Sequence, residues 1–215
     1  MTKVLTLNKI SGISILLIII VVGCFSERNK TNGSIDYEVV SADSIAKRCV
    51  ILNQLLFIAH GGKTSTEVKE YLDSLKLWNV VTDDEKILFA RDSLAQEDLN
   101  NLSWRREALH TLLWTLGEVE SLPLPVEESD ISTEVLKKLE ESPKEWISIA
   151  SIRNAKEIHL ANNEIYEIHW TIRDAMLNEK PTPKNYNTSV VQERHYALNW
   201  VCKYEENWDD VSTDT

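Results

Sequence analysis

The chain has 215 residues and a net charge of −11, with 43% apolar residues, which is enough for one compact domain with a sizeable core. An acidic balance of that size excludes nucleic acid as a partner, because phosphates demand a basic footprint. Six glycines, five prolines and no strand-like alternation argue against sheets and predict an all-α fold, a single compact multi-helix domain.

Residues 1–9 carry Lys3 and Lys9 and no acid, and residues 10–22, ISGISILLIIIVV, are apolar. That order is a signal-peptide layout. As a helix the run is about 20 Å long, short of the roughly 20 residues that a membrane span needs. It ends in Val21-Val22-Gly23-Cys24, which resembles the bacterial lipobox. The resemblance implies removal of residues 1–23 and acylation of Cys24. Each buried CH₂ contributes about 0.8 kcal/mol, so several acyl chains hold a protein firmly. The expected partner of this end is the lipid bilayer, on the extracytoplasmic side of a bacterial membrane. Phe25 rather than Asp after Cys24 points to the outer membrane where the cell has two. Residues 24–40 are polar around the turn signal Asn32-Gly33 and read as the lipidated N-terminus and its tether. The helical domain is expected over residues 41–215.

Within it, Ile45, Cys49, Leu52, Leu56 and Ala59 follow three-four spacing up to the stop at Gly61-Gly62. Thr64…Glu67 and Thr82…Glu85 have the form of capping boxes and open two more helices. From Gln96 to Leu116 a stripe of leucines is interrupted by Arg106. A guanidinium there is expected to be buried and met by an acid. Pro123 and Pro125 mark a loop, residues 132–141 a solvent-covered helix, and Ser142-Pro143 the cap and first turn of another. A break is expected over residues 151–154. Residues 158–178 then place Ile158, Ala161, Ile165, Ile168, Ile172 and Ala175 on one face. This segment is expected to be the core helix around which the domain is organised. Ser189…Gln192 reads as the capping box of a last helix, where Arg194 again interrupts an apolar stripe.

The segments LSWRREALHTLLWTLG, IHWTIRDA and VVQERHYALNW and the terminal WDDVSTDT together resemble the domain-of-unknown-function family 4272, a predominantly bacterial group. The resemblance covers about residues 44–215. It implies an all-helical domain and supplies no established activity or cofactor. Where that family tends to show an acidic, leucine-rich segment, this chain has IHLANN at residues 158–163.

His169 and Arg173 share a helix face, as do Trp170 and Asp174. With Trp104, Arg106, Glu107, Glu193, Arg194 and His195 they form the candidate polar cluster. One reading is a buried network in which Asp174, Glu107 or Glu193 satisfies Arg106 and Arg194. This is favoured, since buried charges are paired for structure before chemistry. The other is a Trp-lined pocket whose arginines grip a small anion. No metal site is expected, because the five histidines show no HExxH and no His-x-His spacing and no paired CxxC accompanies them. No nucleophile or phosphate-loop motif appears, and no cofactor is expected. Cys49 and Cys202 read either as a disulfide between the first and last helices or, preferably, as buried thiols. The function expected is a non-enzymatic interaction or binding domain, holding a protein partner on its acidic faces or its tail. The alternative is an enzyme or small-anion-binding protein using a Trp/Arg/His/Asp pocket.

Overall fold

The computed structural model describes residues 37–91 and 93–215. The signal peptide, Cys24 and most of the tether lie outside the described residues. Eight α-helices are present among those described: α1 Ala42–Ala59, α2 Ser65–Ser74, α3 Asp83–Phe89, α4 Gln96–Thr115, α5 Thr133–Glu141, α6 Pro143–Ile149, α7 Ala155–Leu177 and α8 Thr188–Val201. There is no strand among these residues, and the domain is all-α. None of the helices is long and apolar enough to cross a membrane.

The organising helix is α1, which corrects the expectation placed on residues 158–178. Ser41 opens it by accepting a hydrogen bond from the Ser44 amide (3.2 Å), and Gly61, at φ +70°, follows its end. Ile45, Ala46, Cys49, Val50, Ile51, Leu52 and Leu55 are all essentially inaccessible. Those positions cover most of the helix circumference, so α1 is wrapped by its neighbours rather than laid on them. It packs chiefly on α4 and also touches α2, α5 and α6; α4 continues onto α8, and α8 onto α7. α7 is thus a flanking helix. Its expected apolar face is turned inward, with Ile158, Ile165, Ile172 and Ala175 buried. Its other side carries Leu160, Tyr166, Trp170 and Leu177 exposed.

The capping boxes of α2 and α3 form as expected. In the second, Glu85 Oε2 accepts both the Thr82 amide (3.0 Å) and Arg48 Nη2 (2.8 Å), so one carboxylate caps α3 and ties it to α1. Two expected caps differ. Ser142 makes no side-chain cap, and α8 is capped by Asn187, whose Oδ1 accepts from the amides of Ser189 and Val190. Asn at the N-cap outcompetes the later Ser because its carbonyl reaches two first-turn donors. The expected break appears between α6 and α7. There Arg153 turns back to donate to the carbonyls of Trp114, Val119 and Glu120, and its amide bonds Thr115 O (2.9 Å). It serves as a C-terminal cap for α4 supplied from elsewhere in the chain.

Residues 37–40, assigned by sequence to the tether, are joined to the domain. The Val40 amide donates to Val201 O (2.9 Å), and His159 Nε2 lies 2.9 Å from Glu38 O. Cys49 and Cys202 are buried free thiols, pushed above the ordinary thiol range by burial, Cys202 to about 12.

Candidate functional site

The ten residues of the candidate cluster separate into several places. Glu107 and Arg194 meet at the α4–α8 contact, 1% and 2% exposed. Arg194 Nε donates to Glu107 Oε2 (3.3 Å), Nη2 to Ser129 Oγ (2.9 Å) and Nη1 to Pro123 O. Glu107 also accepts both the amide and the hydroxyl of Ser129. Burial lowers the Arg194 guanidinium from its ordinary range, and the Glu107 carboxylate works against that shift. Every partner here is internal, so this is a closed network that fastens residues 117–131 across α4 and α8. The expected pairing of Arg194 with Glu107 is present.

Arg106 departs from expectation. Its side chain is 35% exposed and pairs with the almost fully exposed Asp130 (2.8 Å), its Nε donating to Ser129 O. From residue 107 onward α4 is buried on all sides, whereas the turns before it are buried on one side only. Arg106 sits at that transition, where its long stem lets the charge reach water. Replacing Arg106 with Ala is expected to cost less than about 1 kcal/mol, as surface pairs do, read as a small shift of the urea midpoint. Glu193 pairs with Arg105 (3.1 Å) rather than with Arg106 or Arg194. Its carboxyl is raised by burial, with Arg105 opposing. Trp104 is half-buried, Trp170 and Arg173 are exposed, and Asp174 accepts from Asn178. Those four do not join the network, and the Trp/Arg/His/Asp pocket does not form at these residues.

His169 and His195 are brought together across α7 and α8, with Nδ1 atoms 3.0 Å apart and rings perpendicular. One Nδ1 donates and the other accepts. Burial lowers both from the ordinary imidazole value, with the neighbouring imidazole adding to the effect at His195, which falls to about 4. His195 is therefore neutral at pH 7. It lines a cleft of about 630 Å³ between α7, α8 and the C-terminal tail, together with Asn162, Tyr166, Asn199, Tyr204 and Ser212.

A chain of side-chain hydrogen bonds fixes how the two asparagine amides beside this cleft are oriented. Asn199 Nδ2 donates to Ser212 O (2.9 Å), so Asn199 must present Oδ1 to Asn162, whose Nδ2 donates to it (3.1 Å). Asn162 Oδ1 is then left over. It is buried and has no partner among the described residues. Glu167, Glu205 and Asp214 also line the cleft, which has no Lys or Arg in its lining. Sequence reasoning named His169 and His195 but missed both asparagines, which sit unremarkably within the IHLANN and ALNW segments.

A second cleft, of about 720 Å³, is bordered by Arg48, Lys47 and Lys86 against Asp83, Asp84 and Asp209. Its buried arginine is held through Nη2 by Glu85, with Cζ 5.1 Å from the Trp208 ring centre, and its Nη1 is buried without a partner among the described residues. Among the described residues no cluster of three His, Cys, Asp or Glu side chains is arranged to hold a metal ion.

A family model described as a domain of unknown function, DUF4272, matches residues 29–211. No curated protein and no solved structure matches the chain.

Proposed function

From the premise that the chain belongs to the DUF4272 family, we propose that it is a lipid-anchored, extracytoplasmic binding domain that holds a small ligand in the α7–α8 cleft. The observation that carries the binding half is the cleft itself, about 630 Å³ and lined by Asn162, Asn199, His195, Tyr166 and Tyr204. That is a ligand-binding size, with polar groups and two aromatic rings converging on one space.

The groups present favour binding over turnover. The Nδ1 atoms of His169 and His195 are spent on each other, and Ser212 Oγ accepts from the Asp214 amide. No hydroxyl or thiol is hydrogen-bonded to either imidazole among the described residues, so the nucleophile-with-base arrangement is not assembled. The anchoring half rests on the charge, apolar run and Gly23-Cys24 order of the N-terminus. With Cys24 acylated, the acidic domain is held at the surface by lipid rather than by its own face.

Mass spectrometry of protein extracted from membranes tests both halves. Under denaturing conditions the expected mass is that of a chain beginning at an acylated Cys24. A chain retaining Met1, or an unmodified Cys24, ends the anchor reading. Under native conditions a small-molecule excess is expected that disappears in Asn162→Leu. Equal native and denatured masses for the unaltered protein end the ligand reading.

A further inference from the structure

Resting on the reading of Cys24 as the acylated end of the chain, we infer that one outer line of α7 is the side of the domain that lies against the bilayer, seated in the lipid headgroup boundary. The acyl chains supply the hold, and this line sets the orientation.

The line is built for such a boundary. Tyr166, Trp170 and Leu177 are exposed although the core face of α7 is already supplied by Ile158, Ile165, Ile172 and Ala175. Folding therefore leaves a second apolar stripe without a partner. At about 100° per residue, a sector of about 60° holds His159, Tyr166, Trp170, Arg173 and Leu177. No acid falls within it, in a chain of net charge −11; Glu167 and Asp174 stand beyond its edge. Tyr and Trp join an apolar body to a polar tip, which is the chemistry that collects where a membrane meets water. Arg173 adds a second match. It is exposed and in no ion pair among the described residues, whereas Arg48, Arg91, Arg105, Arg106, Arg153 and Arg194 each hold an acid. A guanidinium grips phosphate in a two-pronged way, and a phospholipid headgroup presents phosphate at the depth where Trp and Tyr rings reside.

The path of the chain points to the same side. The Tyr37 ring stacks on His159 with centroids 5.1 Å apart, and Glu38 O lies 2.9 Å from His159 Nε2. The chain leading back to Cys24 thus leaves the domain on the line that carries Tyr166, Trp170 and Leu177. Thirteen residues lie between that point and Cys24, counted as 37 − 24, a reach of at most about 45 Å. From His159 to Leu177 the helix measures about 27 Å. The anchored end can meet the bilayer with the whole line in contact. A face at the root of the tether is also presented to the surface at higher effective concentration than a face across the domain. The acidic charge of the chain suits this contact to zwitterionic lipid.

The test uses the full acylated protein in phosphatidylcholine vesicles, with a nitroxide on Trp170→Cys, on Leu177→Cys or, as control, on Ile87→Cys, which is exposed on α3. Cys49 and Cys202 are buried and do not compete for the label. Collision with dissolved oxygen, which concentrates in lipid, is compared with collision with an aqueous nickel chelate. The oxygen-to-nickel ratio is expected to be at least fivefold higher at positions 170 and 177 than at 87. Trp170→Ser combined with Arg173→Ser alters two exposed side chains. It is expected to bring the ratio at 177 down to that at 87, while the protein stays with the vesicles and its thermal midpoint is unchanged. Equal ratios at all three positions, with Cys24 acylated by mass, overturn the orientation and leave the anchor standing. A high ratio at 177 that survives the double substitution overturns the part given to Trp170 and Arg173. Protection that disappears at one protein per vesicle shows a second copy on this face and overturns the bilayer as its partner. An unmodified Cys24 overturns the anchor and this inference together.

Discussion

Replacing Arg194 with Ala is expected to destabilise the domain by about 3–5 kcal/mol, the cost of leaving a buried carboxylate without its counter-charge. Glu107 would keep the Ser129 amide and hydroxyl but lose the guanidinium, and Pro123 O would lose its donor. The loss falls on residues 117–131 first, since those bonds span the loop and nothing of comparable burial replaces them. In urea the midpoint should drop substantially with the slope little changed, because the surface exposed on unfolding is nearly the same. Limited proteolysis within residues 117–131 should speed up in the same variant. The companion Arg106→Ala is the internal control: the same chemical deletion one helix away, at a pair open to water, should barely register. Equal midpoints for Arg194→Ala and the unaltered protein would refute the account of the closed network.

The contrast between those two arginines shows what the sequence can carry. Both interrupt apolar stripes, and periodicity alone treats them alike. Arg194 is buried because α8 is enclosed by α4, α7 and the loop at residues 117–131; Arg106 escapes because α4 is still one-sided at that turn. That difference is tertiary and has no local signature. Helix positions and the all-α class were legible, since caps such as Thr64 and Thr82 and stops such as Gly61 act within a few residues. The wrong choice of organising helix has a physical reason too. Residues 158–178 have a clean amphipathic face, and a clean face belongs to a flanking helix. Complete enclosure erases the stripe, as in α1, where Val50, Ile51 and Leu55 fill the side that periodicity would assign to solvent. The candidate cluster failed in part for the same cause. Shared faces on one helix placed His169 beside Arg173, but only His169 lies on the side that α8 covers. The cleft's asparagines carry no signal of their own, because an unpaired Oδ1 exists only once Asn199 and Ser212 have taken their places.

Acidification from pH 7 to pH 5 is expected to destabilise the domain by several kcal/mol, well above the range in which most carboxylates titrate. His110 and His195 are 3% and 2% exposed, and each falls from an ordinary value of 6.5 to about 4. Desolvation is the leading cause in both. At His110 the Glu107 carboxylate opposes the shift while Arg194 and Arg106 reinforce it, and at His195 the second imidazole reinforces it. With the folded value below the unfolded one, the unfolded chain binds more protons between the two. Stability from these groups is therefore complete above about 6.5 and is lost as pH falls toward 4. Each unit of pH within that window removes about 1.4 kcal/mol per histidine, so two units of acidification carry on the order of 4 kcal/mol from the pair. His169, lowered in the same direction, adds to it. Glu193, raised by burial, works oppositely, and the lowered Asp98 and Glu67 act only at more acid pH. Urea midpoints at pH 7, 6 and 5 measure the slope. His110→Leu removes one titrating group together with a buried Nδ1 that has no partner, and should flatten the slope by about one proton while costing little at pH 7. Midpoints that stay level from pH 7 to pH 5 would show that neither histidine is held neutral by the fold.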